Sequence, residues 1–174
     1  MNKTILNIIR LICLIVVGSL FLSYFVITCN GQEYHTTGFD AIFGNEEKKV
    51  DSYPQLILVP LVAIIVFIAV TILSKKENNV RKITAITVIG GIVGIILMII
   101  AYNTALNIVR KQFGISDISS YFSTGIGFKI CVGAFISMVI FPFVGMVLPK
   151  NKIGQPDIEE KTNIDENENS ANEE

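Results

Sequence analysis

Few side chains in this sequence could do chemistry, and their spacing argues against catalysis. There is one histidine, His35, and its nearest acid in sequence is Glu33. A metal ion would need further ligands from elsewhere in the chain, so His35 is expected to be solvated. Cys13, Cys29 and Cys131 show no C-x-x-C spacing. Cys29 and Cys131 both fall near one expected membrane surface, which leaves a disulfide between them open beside two free thiols. The run GIGFKICVG, residues 125–133, carries two glycines of a dinucleotide fingerprint but lacks the third at the right spacing, so it is not read as a nucleotide site. Intramembrane proteases and proton-coupled carriers use acids or histidines at membrane depth, and none stands in the apolar runs described next. The expectation is a protein with no catalytic residue, no cofactor and no metal: not an enzyme.

Four apolar runs have to position whatever function there is. They are Leu11–Thr28, Leu56–Leu73, Ile83–Ala101 and Ile130–Leu148, and none contains Asp, Glu, Lys, Arg or His. Each is long enough for a hydrocarbon core, which takes about 17–25 helical residues. Hydrophobic residues make up 51% of the 174, against a soluble-domain share of about 45–50% that includes glycine. These features predict an all-α integral membrane fold, a four-transmembrane-helix bundle. Its spans are expected at about 8–28, 55–74, 83–103 and 127–148, with an outer loop at 29–54. Residues 1–149 form the membrane domain. Residues 157–174 hold eight of the fifteen acids and no aromatic residue, so 150–174 is expected to be a disordered acidic cytoplasmic tail. A net charge of −1 argues against nucleic acid as a partner.

Lys and Arg in short loops set orientation. Lys75, Lys76, Arg81 and Lys82 crowd the loop between spans two and three, Lys3 and Arg10 precede span one, and Lys150 and Lys152 follow span four. These regions are expected in the cytoplasm, with both termini inside a multi-pass plasma-membrane protein. Arg110, Lys111 and Lys129 run against the rule. Tyr24, Tyr53, Tyr102 and Tyr121 fall at the proposed outer span ends, as an interfacial belt would.

Phe25–Asn45 admits two readings. Val26-Ile27-Thr28-Cys29 resembles the end of a lipoprotein signal, but Thr28 stands where a small residue belongs, and the apolar region exceeds the 7–15 residues of a signal core. Asn30-Gly31 is a hairpin signal between runs rich in β-branched and aromatic residues. A retained first span leading into a small extracytoplasmic β-hairpin is preferred. A short helix follows: Thr37 and Asp40 have capping-box spacing, Phe39, Ile42 and Phe43 share one face, and Gly44 supplies the stop. Phe39, Asp40, Ile42 and Phe43 are therefore candidates for a lid over the bundle mouth or an interaction surface.

A hairpin after span one, then TGFDAIFG, then three spans with the entry YFSTGIGFKICVG resembles a group of small bacterial four-span membrane proteins. The resemblance implies the architecture of residues 5–148 and no activity. The outline is also claudin-like, but the chain has no tryptophan and one cysteine at the edge of the outer loop, so no claudin function follows.

Small-xxx-small pairs, which let membrane helices approach closely, occur at Gly90 and Gly94, at Gly133 and Ser137, and at Ser19 and Ser23. They are read as intramolecular helix packing. Pro60 and Pro142 are expected to kink spans two and four, and span three to continue as a helix through residues 102–113 to a stop near Gly114. The function these features favour is contact: a scaffold or accessory subunit of an envelope or transport complex, with the bilayer, a membrane protein or a second copy as partner. A small oligomeric channel or carrier is the alternative, and an immunity-type protective protein the third.

Overall fold

The structure is a computed structural model in which residues 3–29, 31–46, 52–75, 79–113 and 121–147 are described. The acidic tail, the stop at Gly114 and Asn30 of the turn lie outside the described residues.

Helix α1 spans Lys3–Ser19. Ile5, Ile9, Ile12 and Val16 recur at spacings of three and four and form its buried stripe, while Leu11, Leu14 and Ile15 stay exposed on its other side. A hairpin follows, β1 (Ser23–Cys29) and β2 (Gln32–Thr37), closed by a two-residue turn in which Gly31 has φ 76°. Helix α2 is Gly38–Phe43. A 3-10 turn, Pro54–Ile57, runs into α3, Leu58–Leu73. Helix α4 covers Val80–Phe113, so the predicted continuation of span three is present. Strand β3, Phe122–Thr124, precedes α5, Ile126–Val147.

The four long helices close a ring in which α1 packs on α3, α3 on α4, α4 on α5, and α5 back on α1. Glycines permit the closest approaches. A Cβ on Gly94 would overlap the Phe135 ring of α5, and one on Gly90 would overlap Val66 of α3. Phe135, Met98 and Met138 fill the interior. The helices turn large apolar side chains outward on every side, among them Ile65, Ile72, Ile89, Ile96, Ile99, Ile136 and Ile140. Three helices are long and apolar enough to cross a membrane: Pro54–Leu73, Val80–Lys111 and Ile126–Val144. This is a membrane protein by that measure.

Several expectations need correction. The first span does not run to residue 28. Helix α1 ends at Ser19 and, at 17 residues, measures about 26 Å against a hydrocarbon core of about 30 Å. Residues 23–28 are strand instead. The sheet has three strands in the order β2-β1-β3, with the third supplied by the entry to the last helix. Tyr24 and Tyr53 are buried, so they belong to the core rather than to an interfacial belt. Gly133 meets nothing within 4 Å of a built Cβ, and Ser137 bonds back to the Gly133 carbonyl at 2.8 Å. That pair is no packing seam within the chain. Ser19 and Ser23 are not one either, since Ser23 stands on β1. Pro60 lies in the first turn of α3, where its missing N–H costs little, and Pro142 lies inside α5.

Candidate functional site

The sheet end of the ring is built around strand β1. Its register shifts between Ser23 and Phe25, a bulge that lets two successive residues point the same way. Tyr24 and Phe25 are accordingly both buried. Tyr24 meets Phe128 edge-on at 6.1 Å, Phe25 stacks on Phe122 at 5.5 Å, and Tyr102 lies within 5.9 Å of Phe122. These rings tie β1, β3, α4 and α5 together. The Tyr24 hydroxyl lies 3.1 Å from Ser19 Oγ, which donates to the Val16 carbonyl at 2.7 Å. Ser19, Tyr24 and the buried free thiol Cys131 make a polar knot in the core.

Helix α2 sits over this knot. The Thr37 hydroxyl accepts from the Asp40 N–H at 3.0 Å, and the Thr37 N–H donates to Asp40 Oδ2 at 3.4 Å, a full capping box. Asn45 Nδ2 donates to Asp40 Oδ1 at 2.8 Å. The first α2 amides reach back to the turn after α1: Gly38 N–H to Leu22 O at 3.2 Å, Phe39 N–H to Leu20 O at 3.0 Å. Gly38 is needed there, because a Cβ would come within 2.9 Å of the Tyr24 ring.

The face expected to be continuous is divided. Ile42 is 6% exposed and packs inward with Ala41, whereas Phe39 is 48% and Phe43 62% exposed. Phe39 and Phe43 turn away from the mouth because the inward positions go to Gly38, Ala41 and Ile42. Phe21, 70% exposed in the turn after α1, stacks on Phe39 at 5.8 Å, and Phe39 meets Phe43 at 4.8 Å. Three phenylalanines thus form one exposed aromatic patch. Phe21 was missed because the sequence places it inside an uninterrupted apolar run. Gly44 has φ 78° and ψ 161°, an extended glycine-only conformation rather than the expected left-handed stop.

His35 is solvated as its position suggested, with Nε2 at 3.6 Å from Glu33 Oε2 and Nδ1 at 3.4 Å from Ser23 Oγ. Both distances exceed the roughly 2.6–3.2 Å of a working relay. No group of three metal-ligating side chains occurs among the described residues. Beneath β3, α4 and α5 flank an apolar cleft of about 390 Å³, lined by Ile95, Met98, Phe128 and Val132, with Tyr102 and Thr124 as its polar groups.

At the other end of the ring, Arg10 spans the seam between α1 and α3. Nη1 donates to Asn7 Oδ1 at 3.1 Å and Nη2 to Ser74 Oγ at 2.7 Å, while Nε is buried without an acceptor among the described residues. Comparison with known protein families, curated proteins and solved structures gives no match to this chain.

Proposed function

We propose that the protein is a non-enzymatic, four-span plasma-membrane protein that works by contact, as a scaffold or accessory subunit whose contact surface is the patch of Phe21, Phe39 and Phe43. The observation that carries this reading is the division of α2. Its inward face is fully used by the fold, and a capping box holds the helix in place, yet two phenylalanines remain outside, stacked with a third. Exposed aromatic clusters of this kind mark contact sites.

The exposed Leu11, Leu14 and Ile15 support α1 as the fourth span, with the short helix completed by the turn and the start of β1. Since β1 is hydrogen-bonded on both sides, its backbone tolerates an apolar surrounding. The Lys and Arg content of the loop after α3 supports cytoplasmic termini and an extracytoplasmic sheet. The role of β1 also supports retention of the first 28 residues, because cleavage before Cys29 would remove α1 together with Tyr24 and Phe25.

The test is a Phe39→Ala/Phe43→Ala variant purified in mild detergent. Thermal stability should stay within about 1 kcal/mol of the parent, as for exposed sites, while co-purification of a membrane partner from the native envelope is lost. Unchanged partner recovery would remove the contact surface. Ion or solute flux from protein-loaded liposomes would favour the channel reading instead.

A further inference from the structure

The described charges at the loop end of the ring are all basic. The sheet end mixes Glu33, Asp40 and Glu46 with Arg110, Lys111 and Lys129, whereas Lys3, Arg10, Lys75, Arg81 and Lys82 lie at the loop end with no described acid. Arg10 stands apart within that group. The four others are exposed, but the Arg10 side chain is drawn into the α1–α3 seam by its bond to Ser74. Ser74 is itself fixed, its hydroxyl donating to the Thr71 carbonyl at 2.9 Å.

A guanidinium carries five N–H donors and keeps its charge at any physiological pH. Asn7 and Ser74 take one each, and Nε is enclosed. One N–H on each Nη nitrogen is left without an acceptor among the described residues, and Arg10 is partly exposed. Guanidinium N–H groups pair with the oxygens of a phosphate. No described carboxylate lies at this end to neutralise the charge.

The surroundings give the rest of the ligand's character. Leu11 and Leu14 follow Arg10 on α1, and Ile72 precedes Ser74 on α3; all three are exposed and apolar. Whatever fills this place must present an anion at the level of Arg10 and hydrocarbon along the helices beyond it. Basic seams between membrane helices suit anionic headgroups. We infer that the α1–α3 seam at the loop end binds one anionic phospholipid, with its headgroup phosphate held by the Arg10 fork, Lys75 adding charge, and an acyl chain lying on Leu11, Leu14 and Ile72. The inference rests on the membrane reading above, in which the loop end meets a leaflet surface.

The experiment uses the full chain in a neutral detergent, titrated with phosphatidylglycerol, phosphatidylcholine or inorganic phosphate. Retained lipid is read by native mass spectrometry, and the melting temperature is followed in parallel. One phosphatidylglycerol per chain should be retained and should raise the melting temperature, while phosphatidylcholine and inorganic phosphate do neither. Arg10→Gln should weaken phosphatidylglycerol binding about tenfold or more, as loss of a charge-assisted pair does. Lys75→Gln should weaken it less than about threefold, as loss of a screened surface charge does. If Arg10→Gln does not fold, Arg10→Lys, which keeps the charge and loses the fork, and Ser74→Ala, which frees the side chain, should both weaken binding. Equal retention of the two lipids, undiminished binding by these variants, or the same stabilisation by inorganic phosphate would overturn the site. Those results leave the membrane reading standing, whereas recovery of the chain without detergent would overturn the membrane reading itself.

Discussion

The two ends of the helix ring are finished in opposite ways. At the sheet end, hydrogen bonding closes on itself. Strand β1 is paired on both edges, α2 is capped by its own side chains, and the Tyr24 hydroxyl finds Ser19. Stacked and edge-on rings fill what remains. At the loop end, polar groups stop short of partners: Arg10 Nε, Thr71 Oγ1 and Thr84 Oγ1 are all buried without one among the described residues. A protein end whose polar groups satisfy one another needs no ligand to complete its hydrogen bonding. One that leaves donors unused inside apolar surroundings has a standing cost that a ligand can offset. The contrast separates the sheet end, which satisfies its own polar groups and carries the proposed contact patch, from the loop end, where headgroup recognition is proposed.

Substitutions ordered by expected effect can break or sharpen that division. Tyr24→Ala removes the ring on which β1, α2 and α5 converge, and should cost about 3–5 kcal/mol in detergent melting, as buried aromatics do. Ile42→Ala, on the inward face of α2, should cost about 2 kcal/mol or more. Asp40→Ala removes one half of the capping box and should cost about 1 kcal/mol. Phe39→Ala, on the outward side of the same helix, should change stability by less than about 0.5 kcal/mol, as exposed sites do. At the loop end, Thr84→Val replaces an unpaired hydroxyl by a methyl group of the same shape and should be neutral or slightly stabilising. A loss for Thr84→Val as large as that for Ile42→Ala would erase the distinction between the ends.

The sequence disclosed these elements unevenly, for physical reasons. The hairpin was legible because Asn30-Gly31 leaves little choice of turn, and the capped α2 because Thr37 and Asp40 stand three apart. The long α4 was legible from the rhythm of Ala105, Leu106, Ile108 and Val109. The end of α1 was not, since Leu20–Thr28 is as apolar as the helix before it, and hydropathy does not distinguish a lipid-facing helix from a buried strand. Strand β3 was hidden because three residues cannot show a period of two. Its partner is chosen by tertiary contact, with Phe122 reaching Phe25 and Tyr102. The patch was half legible. Phe39 and Phe43 were singled out for a lid or a contact surface, and only the close approach of Gly38 to Tyr24 shows why the inward face is taken by smaller residues. The seam at Arg10 had no signal beyond a basic residue before an apolar run.

The pairing of β1 with β3 also fixes an order of events during synthesis. Phe25 pairs across from Thr124, about a hundred residues later in the chain, so at roughly 5–20 residues per second the strand waits about 5–20 seconds for its second partner. Through that interval one edge of β1 is open, with Tyr24 and Phe25 uncovered beside it, and an open edge of this kind invites pairing with a neighbouring nascent chain. The last helix is therefore what completes the first one's exit, and a ribosome stalled before residue 121 leaves a membrane intermediate whose most adhesive surface is its own central strand.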